Sequence, residues 1–396
     1  MPRFSAFEGG NHDDGKLGSG GVMLSVAAGL IIIAVVLWEA FETVVLPRRV
    51  ARPFRLTRLV YRVTWLPWRA IAHAFQKSKS RETFLSIYGP ISILILFVVW
   101  ASAIILGFAL LYHSGSTQDS THPTFETSLY LSGTTMFTLG LGDVIPHTWP
   151  ERFLVVCESG IGFGFLALVL SYLPVIYQAF SRREVNIVLL DARAGSPPTA
   201  AEILRRHAGP RGVVALERLL HDWEHSSADI LESHVSYPSV SYFRSQHTNE
   251  SWLASLTAIL DSCSFLLAFV ESEASRQARL TFAMCRHTVV DLAQLFDEPP
   301  PAHEGNRLPA PELERLRAVA IRAGFQLRDD EASYKKLADL RAMYEPYLHA
   351  LSRFLYMEVP PWVLAKEITD NWKTSAWGRI SGISGPDLEG PDDHTD

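Results

Sequence analysis

The stretch that decides the fold runs from Tyr130 to Asp143 and reads YLSGTTMFTLGLGD. It lies between two uncharged runs, residues 84–112 and 159–181, and a third uncharged run covers residues 17–38. None of the three contains Asp, Glu, Lys or Arg, and each reaches the roughly 20 residues that a helix needs to span hydrocarbon. The sequence therefore predicts three membrane helices, with residues 130–143 in the loop between the second and the third.

The alternating glycines of this loop, Gly140 and Gly142, suit a passage for a cation that has lost its water. Such an ion needs replacement oxygens, and backbone carbonyls from several converging chains can supply them. Glycine accepts backbone angles that are closed to other residues and lets neighbouring chains approach. The hydroxyl of Thr138 would add a further oxygen at the inner end of the passage.

The sequence from Thr138 to Asp143, TLGLGD, resembles the filter of the potassium-channel family, which commonly reads Thr, Val or Ile, Gly, Tyr or Phe, Gly, Asp. The resemblance covers residues 84–181. It implies a homotetramer, because one pore loop per chain is too few to surround an ion. It also implies that the permeant K⁺ binds at Thr138, Leu139, Gly140, Leu141 and Gly142. Support for this filter is assigned to Asp143, Thr134, Thr135 and Glu158.

The chain departs from the common family pattern at Leu141, Leu139 and Phe137. The aromatic residue that usually stands at the position of Leu141 packs and hydrogen-bonds behind the filter, and leucine has no polar group for that bond. Leucine does occur there in some two-pore-domain potassium channels, so the resemblance still implies potassium selectivity. A weakly selective cation channel is the alternative.

Residues 124–137 are predicted to form a short pore helix. The sequence Pro-Thr-Phe-Glu that begins at Pro123 is a typical helix start. If this helix enters from the outer side, its C-terminal end points toward the central cavity, where its dipole favours a cation.

The third predicted span carries an ionisable residue, Glu158, near its outer half. A charge at that depth is costly, so we expect Glu158 to hydrogen-bond behind the filter or to titrate as a modulator of conduction. An inner helix that opens needs a bending point, and Gly or Pro usually provides it. The candidates for a gating hinge are Gly160, Gly162, Gly164 and Pro174. Close packing between membrane helices is the alternative role of these glycines.

The loop from Pro47 to Glu82 carries ten Lys or Arg residues against one acid, and the positive-inside rule places it in the cytoplasm. The N-terminus is then outside and the C-terminal part inside, in a multi-pass protein of the plasma (inner) membrane. Apolar residues alternate with the arginines, which predicts an interfacial helix over anionic lipids. A voltage sensor would need an uncharged length that crosses the bilayer, and Pro53 and Pro67 interrupt this segment. Glu39 and Glu42 are expected to pair with these arginines or to lie in the interface.

The first apolar run could instead be a secretory signal peptide. An acidic, Gly-rich stretch precedes it, however, and it ends in Trp38-Glu39-Ala40-Phe41-Glu42 instead of a small-residue cleavage site. We therefore interpret it as a retained span. The three cysteines, Cys157, Cys263 and Cys285, have no pairable spacing and indicate no disulfide framework.

From Arg182 onward the chain has 23 basic and 31 acidic side chains, which indicates a soluble region and disfavours nucleic acid as a partner. Its periodicity predicts helices at Ala200–Arg206, Val213–Trp223, Ser251–Glu273, Arg276–Phe296, Pro311–Ala323 and Glu331–Tyr356. The third of these has one apolar stripe for packing. No Gly-x-Gly-x-x-Gly follows a strand, so a nucleotide-binding domain is not predicted, although Val185–Leu190 could form a strand.

Two clusters of this C-terminal part have alternative roles. His221 and His225 are one helical turn apart and could bind a metal, although exposed or interhelical histidines at this spacing more often do not. The second cluster is aromatic and is expected to pack helices together, with a ligand-binding box as the alternative: Trp223, Tyr237, Tyr242, Phe243 and Trp252.

The expected fold class is an all-α membrane protein. Its expected segments are a disordered N-terminus (1–20), a first membrane helix (21–46), a basic interfacial segment (47–83), a pore domain (84–181), a cytosolic helical domain (182–385) and a disordered tail (386–396). Within the pore domain the outer helix is 84–112, the pore helix 124–137, the filter 138–143 and the inner helix 152–181.

The expected function is passive permeation of K⁺ through a channel, gated by the helical C-terminal domain in response to a cytosolic ligand of unknown identity. A membrane-anchored enzyme is a rival, but the sequence contains no nucleophile elbow, Walker loop or His-Glu-x-x-His motif. A subunit of a potassium uptake transporter is a further rival. Those resemble four linked pore repeats with a single filter glycine each, whereas this chain has one repeat and two glycines.

Overall fold

The computed structural model describes residues 19–46, 55–75, 78–115, 124–209, 211–246, 249–271, 274–301 and 305–365. The chain divides into two compact units. The first unit is Met1–Val60 with Leu94–Leu173, and the second is Tyr61–Ile93 with Pro174–Asp396. Residues 1–18, 47–54 and the tail 386–396, on which part of the sequence-based predictions fall, lie outside the described residues.

Long helices account for most of the first unit. Helix α1 (Ser19–Ala40) continues into a short π-helical turn, Phe41–Val45. Helices α2 (Leu56–His73), α3 (Ser78–Gly115), α4 (Phe125–Met136) and α5 (Trp149–Ala194) follow. Helices α2, α3 and α5 each contain residues of both units.

Two glycines bring α1 into contact with α3. A Cβ atom added at Gly29 would lie 2.6 Å from the carbonyl oxygen of Gly107, and one added at Gly107 would lie 2.7 Å from Cγ1 of Ile33. Small residues at such a crossing let two membrane helices approach closely and gain dispersion energy. The first helix therefore packs directly on the outer helix of the pair that flanks residues 124–148.

The acidic residues at the end of α1 have partners inside the first unit. Glu39 is buried, and its Oε1 accepts a hydrogen bond of 3.0 Å from the backbone N–H of Thr57 at the start of α2. The guanidinium of Arg55 lies 3.7 Å from the same oxygen. Glu42 accepts a hydrogen bond from Nε1 of Trp38, at 2.5 Å. Glu39 thus satisfies a free donor at a helix N-terminus, where the helix dipole favours a carboxylate.

The second unit consists mainly of shorter helices that follow α5 in the chain. They are α6 (Ala200–Arg206), α7 (Gly212–Ser236), α8 (Trp252–Phe269), α9 (Ala274–Leu295), α10 (Ala310–Arg322), α11 (Glu331–Ala342) and α12 (Glu345–Leu355), with a 3₁₀ turn at Pro238–Tyr242. Among the described residues the β-type pairing is a single antiparallel bridge between Val270 and Leu327. The prediction of an all-α membrane protein is confirmed.

Helix α8 is the core of the second unit, and the prediction of one apolar stripe was too narrow. All of its 18 residues are buried, with α6, α9 and α11 packed around it. It therefore also meets the length and hydropathy of a membrane span, as do Gly20–Val45, Lys79–Gly115 and Trp149–Ala194. Because protein covers α8 on every side, it has no surface for lipid, and among the described residues the other three helices are the candidates for membrane spans.

Three other elements differ from the sequence-based prediction. Val185–Leu190 is helical, not a strand, because it continues α5 and buries Ile187 and Leu190 at helical spacing. Helix α7 extends thirteen residues past Trp223, to Ser236. The predicted helix Glu331–Tyr356 is two helices, since Pro346 has no N–H to continue the first one.

Candidate functional site

The pore helix predicted at 124–137 is α4, Phe125–Met136. Thr124 is its N-cap, with Oγ1 accepting a hydrogen bond from the N–H of Thr127 at 3.3 Å. An N-cap side chain of this kind satisfies one of the free donors at the start of a helix.

The backbone leaves α4 by a tight turn that the end of the helix holds in place. The N–H of Thr138 donates to the carbonyl of Thr135 at 2.9 Å, and the N–H of Leu139 donates to the carbonyl of Thr134 at 2.8 Å. The hydroxyl of Thr134 donates within the helix, to the carbonyls of Tyr130 and Leu131. Thr134 and Thr135, named from the sequence as filter support, thus contact the first residues of the filter through their carbonyl groups.

Positive φ angles alternate along the filter, residues 138–143. Thr138 has φ 55°, Gly140 has φ 54° and Gly142 has φ 80°, whereas Leu139 and Leu141 between them do not have positive φ. In an extended strand successive carbonyls point to opposite sides, whereas alternation between left-handed and right-handed angles turns them toward one side. Two of the three positions are glycine, which adopts these angles without strain. Thr138 pays a cost of about 1–3 kcal/mol for its angle.

The filter is exposed in the single chain. Leu139 and Leu141 are 60% and 65% exposed, and a Cβ atom added at Gly140 or Gly142 would have no atom within 4 Å. The apolar residues of α5 are also largely exposed, Phe163 and Leu170 among them. Within a single chain, these residues are therefore not covered by protein on that side.

The outer end of the filter is joined to the pore helix. The hydroxyl of Tyr130 donates to Oδ2 of Asp143 at 2.8 Å. The sequence-based assignment named Asp143 as a supporting residue but did not find Tyr130. An aromatic residue with a polar group, thirteen positions before the carboxylate and on the pore helix, was the available signal.

Glu158 joins three helices behind the pore helix. It is fully buried on α5, where its Oε2 accepts a hydrogen bond of 2.7 Å from the hydroxyl of Tyr112 on α3. Its Oε1 accepts from the hydroxyl of Ser132 on α4, which also lies 2.9 Å from the carbonyl oxygen of Ile105. Ser132 and Tyr112 were not identified from the sequence, because nothing in the spacing of either residue points to Glu158.

The four hinge candidates occupy different surroundings. A Cβ atom added at Gly162 would lie 2.1 Å from the carbonyl oxygen of Met136, so α5 touches the end of the pore helix there. The same addition at Gly160 or Gly164 would meet no atom within 4 Å. Helix α5 runs unbroken through Pro174. The contact at Gly162 is close packing, and the assignment of all four residues as a hinge stays a prediction.

The rings of His221 and His225 are in edge contact, with their centroids 4.6 Å apart. In the part of the chain that the structure describes, no group of three or more His, Cys, Asp or Glu residues could hold a metal ion. His247, a further histidine, lies outside that part.

Comparison with known proteins agrees with this geometry. The model of the ion channel family matches residues 86–178, the segment that contains the pore helix, the filter and the membrane part of α5. This segment of the chain is therefore similar to the ion channel family. It is also 24% identical over 244 residues to a protein of Bacillus subtilis strain 168 described as the uncharacterized membrane protein YdjJ, an alignment that covers 60% of this chain and 67% of that protein. No solved structure matches the chain.

We expect Gly162→Ala to disturb the ion channel domain much more than Gly160→Ala or Gly164→Ala. The new methyl group would overlap a backbone oxygen that cannot rotate away, and overpacking of this kind costs about 1–3 kcal/mol. The thermal unfolding midpoint of the purified full chain in detergent checks this. Equal midpoints for the three variants would contradict the close approach of α5 to Met136.

We expect Glu158→Ala to lower both the thermal stability of the chain and its ion flux in vesicles, because the buried hydroxyls of Ser132 and Tyr112 lose the carboxylate to which both donate. Each such loss costs about 1–3 kcal/mol. Glu158→Gln keeps one carbonyl acceptor and should be intermediate. Glu126→Ala, at an exposed carboxylate in the first turn of α4, is the matched control. Wild-type behaviour of Glu158→Ala in both assays would refute the role of Glu158 in joining the helices.

Proposed function

We propose that four copies of this chain form a potassium-selective channel in which K⁺ moves passively through the carbonyl oxygens of residues 138–142. The observation that carries the proposal is the alternation of positive φ at Thr138, Gly140 and Gly142, in an exposed segment between two membrane helices. Inward carbonyls from converging loops replace the hydration shell of K⁺. Permeation of this kind involves no chemical step, so the protein acts as a channel and not as an enzyme.

Assembly into a tetramer follows from what a single chain leaves uncovered. Non-helical backbone at membrane depth is tolerated only where protein or water satisfies its polar groups. The exposed filter and the bare apolar side chains of α5 supply such a surface for neighbouring copies. A fourfold cyclic arrangement brings four identical loops to one axis with identical contacts.

A weakly selective cation channel is the second candidate, and Leu141 is the observation that favours it. Its side chain has no polar group and is 65% exposed within the chain, so the chain itself does not brace the filter at this position. A filter held less firmly would discriminate less between K⁺ and Na⁺. The hydrogen bond between Tyr130 and Asp143 favours selectivity for K⁺ over Na⁺, because it fixes the outer end of the filter to α4.

Gating is assigned to the second unit, which we place in the cytoplasm with the N-terminus outside, in the plasma (inner) membrane. Helix α5 has 46 residues, a length of about 70 Å at 1.5 Å per residue, and hydrocarbon accounts for only about 30 Å. The helix that carries Glu158 and Gly162 is therefore longer than the hydrocarbon is thick, and its residues from Pro174 onward belong to the second unit. A cytosolic ligand that changes the packing of this unit would act on the inner helix directly.

Arg183 fixes the cytoplasmic end of α5 to the second unit. Its guanidinium is buried and donates to the carbonyls of Val240 and Phe243, at 3.0 and 2.8 Å. It also lies 3.2 Å from Nε2 of His234. Burial, together with the adjacent guanidinium, lowers the pKa of His234 well below its ordinary value, so the ring is neutral and can accept.

Phe243 contacts both α3 and α5 within the second unit. A Cβ atom added at Gly89 on α3 would lie 2.7 Å from its ring. The ring of Phe180 on α5 has its centroid 5.5 Å away. The segment from the 3₁₀ turn Pro238–Tyr242 to Phe243 is therefore the part of the second unit through which a ligand would reach both helices.

The proposal predicts potassium flux into vesicles that contain the purified full chain, with sodium passing much more slowly. Gly140→Ala should abolish the flux, because a side chain at φ 54° is strained and displaces the carbonyls. Gly133→Ala is the matched control, since it lies in α4 with no atom within 4 Å of the added carbon. Radioactive rubidium and sodium uptake measure the two rates.

Three results would count against the proposal. Sodium uptake as fast as rubidium uptake would replace it with the weakly selective cation channel. Equal flux through Gly140→Ala and the unchanged chain would place the passage elsewhere. Absence of any uptake above that of protein-free vesicles would contradict a conducting pore.

A further inference from the structure

Helix α2 has an exposed apolar stripe that the sequence pattern had not separated from the rest of the helix. Leu59, Val63, Leu66 and Ala70 follow one another at intervals of four, three and four residues, which places them on one face. All four are exposed, Leu59 by 44%, Val63 by 60% and Leu66 by 46%. We refer to these four residues as the outward stripe.

The opposite face of α2 belongs to the second unit. Tyr61 and Trp65 are buried, and both rings pack on Tyr242, with centroids 5.6 and 5.1 Å away. Trp65 also lies 4.7 Å from the ring of Tyr88 on α3, and Trp68 stacks on Phe84 at 4.5 Å. Trp65 and Trp68 therefore face protein.

Helix α2 is also hydrogen-bonded to the C-terminal end of α12. Nε1 of Trp65 donates to the carbonyl of Phe354 at 2.9 Å, and the guanidinium of Arg69 donates to the carbonyl of Arg353 at 3.1 Å. The last carbonyls of a helix have no partner within it, and the helix dipole favours a cation there. This contact fixes α2 to α12 of the second unit. The outward stripe remains exposed on the opposite side of α2.

We propose that the outward stripe of α2 lies in the cytoplasmic surface of an anionic lipid bilayer, so that α2 joins the second unit to the membrane. The inference rests on the membrane topology of the proposed function. Helix α2 is tied at both ends to membrane spans, Gly20–Val45 before it and Lys79–Gly115 after it, so it cannot lie far from the bilayer surface.

Charge favours an anionic surface as the occupant. The segment from Pro47 to Glu82 has ten basic residues against one acid, and anionic headgroups attract such juxtamembrane segments. Arg62 is exposed on one flank of the outward stripe, next to Val63 in sequence. Because an α-helix turns 100° per residue, Arg62 stands about 70° from the centre of the stripe. From there its long side chain reaches headgroups while the stripe enters the acyl boundary. A second copy of the chain would meet the same positive charge on its own α2 and is disfavoured.

This arrangement gives the bilayer a direct connection to the second unit. The lipid holds one face of α2, and the other face holds Tyr242 and the end of α12. Tyr242 is the last residue of the 3₁₀ turn whose neighbours Val240 and Phe243 accept hydrogen bonds from Arg183 of α5. The surface charge of the lipid would therefore affect the position of the segment from Pro238 to Phe243, which is hydrogen-bonded to α5.

The experiment places a fluorescent nitrobenzoxadiazole label at Val63→Cys in the full chain, with Cys157→Ser to remove the partly exposed native thiol. Cys263 and Cys285 are buried and stay. The matched control is Val214→Cys, an exposed valine on α7, 64% exposed. Each protein is reconstituted into vesicles of phosphatidylcholine alone or with one third phosphatidylglycerol, with and without lipids that carry a quencher on the acyl chain.

In anionic vesicles, the label at position 63 should show blue-shifted emission and about twofold quenching. In neutral vesicles both the shift and the quenching should be smaller, because charge attraction then no longer adds to apolar burial. The label at position 214 should stay water-exposed and unquenched. Arg62→Glu should remove the difference between the two lipids, and Arg218→Glu, an exposed arginine on α7, should not.

Four outcomes would overturn the proposal. The first is water-like emission at position 63 in anionic vesicles, and the second is equal quenching in both lipids. The third is a blue shift without quenching by the lipid probe, because the stripe would then be covered by protein. The fourth is a lipid difference that persists in Arg62→Glu. The readout does not depend on conduction. Lipid insertion without potassium flux would therefore contradict the proposed channel alone, and flux without insertion would contradict this inference alone.

Discussion

Non-helical backbone at membrane depth persists only where protein or water satisfies its polar groups, and in the proposed channel residues 138–142 form such a stretch. The rest of the first unit follows from this constraint. The carbonyls of Thr134 and Thr135 hold the first residues of the filter, and Asp143 holds its outer end through Tyr130. The inner face of the stretch remains open in one chain, which is why the proposed function requires further copies.

A filter held by the pore helix is only as rigid as the attachment of that helix. Two contacts with α5 supply it. Glu158 accepts from Ser132 of α4 and from Tyr112 of α3, and Gly162 lets the inner helix touch the carbonyl of Met136. The helix that makes these contacts continues to Ala194.

The sequence predicted what depends on local pattern and missed what depends on tertiary contact. Uncharged length predicted the three spans, and the glycine spacing predicted the exposed loop after α4. Neither pattern distinguishes Gly162 from Gly160 and Gly164, because the difference is the presence of Met136 on another helix. Composition likewise could not tell the buried tryptophans of α2 from the exposed outward stripe. Helix α8 appeared amphipathic because a core helix and a surface helix can share the same leucine spacing, and only its neighbours decide.

The central claim is that the passage for K⁺ exists only between copies of the chain. Native mass spectrometry of the full-length protein, released from detergent under non-denaturing conditions, tests this most directly. The account predicts one dominant species of four chains of 44.2 kDa each, with dimers and monomers appearing only after activation in the gas phase. A folded monomer as the dominant species in mild detergent, at concentrations at which the protein supports cation flux, would contradict the claim.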